Sequence, residues 1–162
     1  MRAAHWLLAA SVITCLVLHH GGPWHESLGY AALAIALWRI AHGLVSRDRY
    51  ARFDAFVLGP RATLHYARQV LLDEEPHHLG HNPLGGWMVA VLLAVVLAAG
   101  GTGALYVTDA FWGVPWVIAA HAVCGWALAA LVPLHLVGVI FTSLRQGENL
   151  VRAMLTGRKA PP

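Results

Sequence analysis

Four long runs of apolar residues, separated by short clusters of polar, glycine and proline residues, dominate the pattern along this chain. The runs cover about residues 4–20, 24–45, 87–107 and 116–143. Each is close to the roughly 20 residues that a helix needs to cross a bilayer, and the first is the shortest. The clusters between them are typical of turns. The pattern predicts an all-α integral membrane protein, a four-helix up-and-down bundle that forms a single membrane domain over residues 1–162.

The composition agrees with a membrane setting. Apolar residues make up 58% of the chain, charged residues only 12%, and the mean hydropathy is +0.59. Because a soluble domain carries about 25% charged residues, we do not expect this chain to be one. Arg2 and the apolar run after it resemble a signal peptide, but no convincing small-x-small cleavage site follows. We therefore expect the run to be retained as a span.

The positive charges predict the orientation of the spans. All 11 lysine and arginine residues lie at the N-terminus, at the end of the second run, in the connection 46–86 or in the tail 144–162. The short loops 19–23 and 108–115 contain none. Because cytoplasmic loops carry the excess of Lys and Arg, both termini, the connection and the tail are expected to be cytoplasmic. Topology thus accounts for the basic character of the chain, and no nucleic-acid partner is expected.

The cytoplasmic connection is predicted to contain a short amphipathic helix. Pro60 is a suitable first residue for it. The helical period then gathers four apolar residues on one face: Leu64, Ala67, Val70 and Leu71. Such a helix is expected to lie on the membrane surface, with membrane lipid as its partner and its arginines toward the headgroups.

Three kinds of metal site are not favoured by the sequence: a zinc site, a covalently attached haem and an iron–sulfur cluster. His77, His78 and His81 form a candidate zinc cluster, which lacks a cysteine or a well-placed carboxylate. Cys15 and Cys124 stand alone in apolar runs and are expected to be packing residues. Because no Cys-x-x-Cys-His motif is present, any haem would be held without that covalent attachment. Iron–sulfur clusters lack the necessary thiolates.

His121 and His135 are the most informative residues, because they lie fourteen positions apart in one apolar run. Fourteen helical steps bring the second imidazole to within about 40° of the first and separate the two by roughly 21 Å along the axis. The hydrocarbon core is about 30 Å thick. One helix would thus present a histidine toward each membrane face on the same side, as two haems stacked across a bilayer require. A histidine in a span is usually functional, although some only form hydrogen bonds.

Depth in the bundle predicts the partners of these histidines. His25 and His121 both lie near the outer face. His5 and His135 lie nearer the cytoplasmic face. Two bis-histidine haem sites are therefore predicted, an outer His25/His121 pair and an inner His5/His135 pair, with His19 as a rival to His25. Iron held by two imidazoles has no open position, which favours electron transfer over substrate chemistry.

Several further residues near the predicted sites have two interpretations. Arg39, toward the end of the second run, either pairs with a haem propionate or extends to the lipid headgroups. Gly125 and Gly138 follow the two histidines by four and three positions, and three glycines interrupt the third run over residues 100–103. These small residues either admit a flat macrocycle or allow ordinary close packing of helices.

Short motifs are spread along almost the whole chain. In order they are His5-Trp6, His25-Glu26-Ser27-Leu28-Gly29-Tyr30, Arg39, Tyr50-Ala51-Arg52-Phe53, Gly59-Pro60, Gly80-His81-Asn82-Pro83-Leu84-Gly85, His121, His135, Gly138-Val139, Glu148-Asn149-Leu150-Val151-Arg152-Ala153-Met154, Thr156-Gly157 and Lys159. This set resembles the bacterial cytochrome b561 family of four-helix dihaem membrane proteins, which includes the b-type cytochrome subunit of nickel–iron hydrogenases. The resemblance implies two haem b groups held by histidines of the first, second and fourth spans. These are His5, His25, His121 and His135.

The resemblance also implies a function. We expect an electron carrier of the bacterial inner membrane that links the quinone pool to a periplasmic c-type cytochrome or another redox protein. A quinone site would lie near the inner haem and residues 80–85. The alternatives are a small-molecule oxidoreductase, for example one that oxidises superoxide at the outer haem, and the membrane anchor of a hydrogenase-like complex. A transporter or scaffold without a cofactor is a further hypothesis, although inverted repeats are lacking. A homodimer and a single chain both stay open.

Overall fold

The structure, a computed structural model, describes residues 1–47, 52–53, 57–72, 74 and 82–157. All regular secondary structure in these residues is helical, which confirms the all-α class. The six helices are α1 (Arg2–Val17), α2 (Pro23–Val45), α3 (Pro60–Leu71), α4 (Pro83–Tyr106), α5 (Pro115–Gln146) and α6 (Leu150–Thr156). The four-helix bundle and the cytoplasmic termini stay predictions.

Proline and glycine set most of the helix boundaries. Four of the helices begin with a proline: α2, α3, α4 and α5. Proline suits the first helical position because its missing N–H would have no partner there and its φ angle is already helical. Gly21 and Gly22, between α1 and α2, have φ angles of 85° and 103°. Side chains other than glycine rarely adopt such angles, so this turn separates the first two apolar runs.

Among the described residues, three helices are long and apolar enough to cross a membrane by length and composition, namely α2, α4 and α5. α1 is apolar but has only 16 residues, because residues 18–20 form a turn instead of continuing the helix. Large apolar side chains are exposed along the spans, such as Val123 and Trp126 of α5, which is 79% exposed. Apolar surface on all sides of a helix is typical of contact with lipid. The fold is therefore that of a membrane protein.

The first of two compact units combines residues Met1–Ile40 with residues Leu92–Leu134. It contains α1, most of α2, the second part of α4 and the first part of α5. Val117 of α5 is fully buried in it. A Cβ atom placed on Gly100 of α4 would lie only 2.9 Å from the Cβ atom of Leu33 in α2. The two helices therefore approach at a distance that only glycine permits.

The second unit combines residues Ala41–Val91 with residues His135–Pro162. It contains α3, the helix predicted to begin at Pro60, and that prediction is confirmed. The indole Nε1 of Trp87 donates hydrogen bonds to the carbonyl of Leu58, at 3.0 Å, and to Oγ1 of Thr63, at 3.1 Å. These bonds hold the first turn of α3 against the start of α4.

Two side chains of the apolar face predicted for α3 are largely exposed. Leu64 is 73% exposed and Leu71 is 85% exposed, while Tyr66 on the same helix is buried. The end of α3 is held by Arg145, whose guanidinium donates to the carbonyl of Val70 at 3.2 Å. That α3 lies on the membrane surface stays a prediction.

Candidate functional site

Two imidazoles from different helices meet edge to face in the first unit. The rings of His25 in α2 and His121 in α5 have centroids 5.9 Å apart and planes inclined by 74°. Both residues are half-buried. An imidazole nitrogen binds a first-row metal at about 2 Å, so two rings that share one metal have centroids on the order of 6 Å apart. The structure thus brings together the pair predicted for the outer site, at a spacing that fits one metal between the rings.

His25 is fixed by a reciprocal contact with α1. Its Nδ1 lies 3.2 Å from the carbonyl oxygen of Cys15, and the Cys15 thiol donates to the carbonyl of His25 over 3.5 Å. A carbonyl oxygen only accepts, so this network assigns the proton of the neutral imidazole to Nδ1. Nε2 of His25 then carries the lone pair that a metal requires.

His121 is fixed in the same way by α4, with one additional partner. Its Nδ1 lies 3.0 Å from the carbonyl oxygen of Ala99 and 3.2 Å from Oγ1 of Thr102. A Cβ atom on Gly103 would lie 3.1 Å from Cε1 of His121, so the ring rests closely on the backbone of α4 at this glycine. As for His25, the carbonyl assigns the proton to Nδ1 and leaves the lone pair of the ring on Nε2.

Two glycines leave space next to the paired imidazoles. Gly29 and Gly125 follow His25 and His121 by four positions, which places each on the same helix face as its histidine. A Cβ atom on either glycine would meet no atom of the described residues within 4 Å. One helical turn beyond each imidazole there is thus no side chain at these positions, which is compatible with a flat macrocycle between the helices.

His19, the rival to His25, is placed differently. It is exposed, its Nδ1 lies 3.3 Å from the carbonyl of Val17, and its ring lies against that of His20 with 3.9 Å between the centroids. His25 is the histidine whose ring is set against His121. The turn after Val17 explains the difference, because it ends α1 before His19 can continue on the helix face that carries His5.

The residues of the predicted inner site belong to different units. His5 and Arg39 lie in the first unit and His135 in the second. All three are half-buried, and Nδ1 of His5 and one terminal nitrogen of Arg39 are fully buried atoms. The ring of His5 meets the edge of Trp6 at 5.3 Å between centroids. The His5/His135 pair and the role of Arg39 stay predictions.

No competing metal site is found in the described residues. They contain no group of three or more His, Cys, Asp or Glu side chains able to hold a metal ion. The candidate zinc cluster His77, His78 and His81 lies outside the described residues, as do the motif residues Tyr50, Ala51, Gly80 and Lys159. Cys15 and Cys124 are both free, half-buried thiols.

Sequence reasoning missed the residues that anchor the imidazoles. Cys15 was expected only to pack, and no role toward His121 was assigned to Thr102. A different feature of the site does have a sequence signal. A glycine follows each paired histidine by four positions, Gly29 after His25 and Gly125 after His121. The contacts with Cys15 and Thr102 leave no such signal, because they depend on how separate helices pack.

Apolar helices that bring two anchored imidazoles together are the arrangement expected of membrane b-type cytochromes. The sequence model of the family described as prokaryotic cytochrome b561 matches residues 1–157, and the chain belongs to that family. Membership makes it a membrane cytochrome of electron transfer that binds b-type haem. Searches of curated proteins and of solved structures found no match.

Proposed function

We propose that this protein carries electrons across the bacterial inner membrane through two b-type haems, between the quinone pool and a periplasmic redox partner such as a c-type cytochrome. His25 and His121 hold the outer haem, and His5 and His135 hold the inner one. The observation that carries the proposal is the imidazole pair with 5.9 Å between centroids and both Nδ1 atoms tied to carbonyls.

The anchoring of both imidazoles suits electron transfer. His25 and His121 would hold a haem b, which would supply a one-electron couple. The carbonyls of Cys15 and Ala99 keep each ring in one orientation and one tautomer, so Nε2 of each histidine is available without rearrangement. Ligands that need not move keep the cost of changing the oxidation state low. A site for oxygen or substrate chemistry would instead leave one position vacant.

The inner haem is supported by the helix that carries the outer ligand. α5 is continuous from Pro115 to Gln146 and therefore carries both His121 and His135. A Cβ atom on Gly138, three positions after His135, would meet no atom of the described residues within 4 Å, as at Gly125. Arg39 is half-buried, with one terminal guanidinium nitrogen fully buried, and the proposal pairs it with a haem propionate.

The proposed electron path is tested with purified, haem-loaded protein in phospholipid vesicles. A quinol in the membrane is expected to reduce the haems, and an oxidised c-type cytochrome added outside is expected to reoxidise them. The His121→Ala variant should retain reduction by quinol at the inner haem and lose electron delivery to the outside. Its matched control is His65→Ala, which removes an exposed histidine of α3.

Three results would contradict this function. Protein that quinol does not reduce, while superoxide alone does, would be a small-molecule oxidoreductase. Protein that exchanges electrons only after a hydrogenase-like partner binds would be a membrane anchor. Delivery to the outside that His121→Ala leaves unchanged would remove the outer haem from the path.

A further inference from the structure

We propose that α4, a helix with no histidine of its own, sets the orientation and the electron-donating strength of His121 through Thr102. Thr102 is thus a positioning residue for the outer haem ligand. This inference rests on the proposed role of His121 as a ligand. It concerns what holds the ligand and does not concern whether the ligand binds iron.

The hydrogen bonds around Thr102 allow one consistent placement of protons. Its hydroxyl lies 2.7 Å from the carbonyl of Ala98, the shortest of its contacts, and 3.0 Å from the carbonyl of Ala99. Both neighbours only accept, so the single hydroxyl proton is committed to the backbone of α4. Oγ1 therefore meets His121 with a lone pair and accepts from Nδ1–H at 3.2 Å.

His121 consequently has two acceptors for one proton. The carbonyl of Ala99 and the hydroxyl of Thr102 both accept from Nδ1–H of His121, whereas Nδ1 of His25 is set against the carbonyl of Cys15. Acceptors on Nδ1–H raise the basicity of the opposite nitrogen. His121 is then the stronger donor of the two ligands and favours ferric iron over ferrous iron.

Gly103 makes this arrangement sterically feasible. In an α-helix the amide of Gly103 bonds to the carbonyl of Ala99, so residue 103 lies next to the oxygen that His121 reaches. A Cβ atom there would lie 3.1 Å from Cε1 and 3.4 Å from Nδ1 of His121. Any larger residue would push the imidazole away from both acceptors. Glycine at 103 and threonine at 102 thus act together as the support for one ring.

The test compares haem-loaded variants that differ only in the hydroxyl. Thr102→Val removes it at nearly constant shape, and Thr102→Ser keeps it. The control Thr108→Val removes a hydroxyl that bonds back to the carbonyl of Leu105 at 2.7 Å, just beyond α4. Loss of a residue that orients a metal ligand costs roughly tenfold or more in affinity. We expect about a tenfold loss in outer-haem affinity for Thr102→Val, with a higher midpoint potential of that haem.

Thr102→Ser and Thr108→Val are expected to match the wild type in both haem affinity and midpoint potential. A purely structural role would not move the potential, and serine would not restore it. If Thr102→Val does not fold, Thr102→Ala carries the same comparison, because alanine also lacks the hydroxyl and is the best helix former. Unchanged affinity and potential in the variant without the hydroxyl would overturn the inference.

Failure of this inference is distinct from failure of the proposed function. His121→Ala, measured in parallel, reports whether His121 binds the outer haem at all. If that variant loses a haem while Thr102→Val behaves as the wild type, the ligand assignment stands and the role of α4 is refuted. If His121→Ala retains every haem, the proposed function itself is refuted.

Discussion

The two compact units use their polar contacts for different purposes. In the first unit, the imidazoles of His25 and His121 bond to carbonyls of other helices. In the second, the polar side chains of Trp87, Arg145 and Asn149 bond to backbone or side-chain atoms at helix ends. Contacts of the first kind fix a ring, and contacts of the second kind fix a helix terminus. The comparison separates two kinds of polar contact: one orients a ring within a candidate site, and the other fastens the end of a helix.

The largest effect is expected when one of two rival histidines, His25 or His19, is replaced by alanine. His25→Ala is expected to lower the haem content by one per chain, because it removes an anchored ring from the pair with His121. His19→Ala is expected to leave the haem content unchanged, since His19 is exposed against His20. A pyridine haemochrome assay on both purified variants measures the effect. Equal haem loss in the two variants would contradict the assignment.

Packing within the first unit is tested by two neighbouring glycines of α4. Gly100→Ala would place a Cβ atom 2.9 Å from Leu33 and is expected to destabilise the protein by about 1–3 kcal/mol, as overpacking does. Gly101→Ala meets open space among the described residues and is expected to be stabilising by up to about 1 kcal/mol, the helix propensity of alanine over glycine. Thermal unfolding in detergent compares them. A stability of Gly100→Ala equal to that of Gly101→Ala would refute the close contact of α4 with α2.

Removing a helix-end hydrogen bond in the second unit is expected to have a smaller and more local effect. Trp87→Phe removes the indole N–H that bonds to Leu58 and Thr63, at a cost of about 1 kcal/mol. Amide hydrogen exchange in α3 should become faster, while the haem content should not change. The control is Trp126→Phe, which alters a largely exposed indole of α5. Loss of haem in Trp87→Phe would contradict the separation of scaffold and site.

The smallest expected effect is at the end of the chain. The side chain of Asn149 accepts a hydrogen bond from the amide of Arg152 at 2.8 Å and caps α6. Asn149→Ala is expected to cost about 1 kcal/mol and to speed hydrogen exchange only in this helix. Unchanged exchange there would mean that α6 does not depend on its cap.

The apolar runs, and the proline and glycine residues between them, predicted much of the fold. α2, α4 and α5 follow three of the apolar runs, and α3 begins at the predicted Pro60. The early end of α1 was not predicted, because a turn at residues 18–20 interrupts an apolar run whose composition alone still permits a helix. The length and hydropathy of this run permit a longer helix. The turn that leads into Gly21 and Gly22 is what ends α1.

The sequence predicted that His25 and His121 come together, but it did not predict the residues that hold their rings. Depth along each span was enough to pair His25 with His121, because position on a helix fixes height in a bundle. Thr102 and Cys15 contact these rings across sequence separations of 19 and 10 residues. Such contacts follow from the packing of helices and from one glycine, Gly103, whose role is visible only when the ring beside it is in place.

The most direct test of the account is the number of b-type haems per chain in the purified protein. A pyridine haemochrome assay, combined with a reduced-minus-oxidised absorption spectrum, gives both the haem type and the stoichiometry. We expect two haem b groups per chain. Protein made with an adequate haem supply that binds no haem, or only one per chain, would contradict the account.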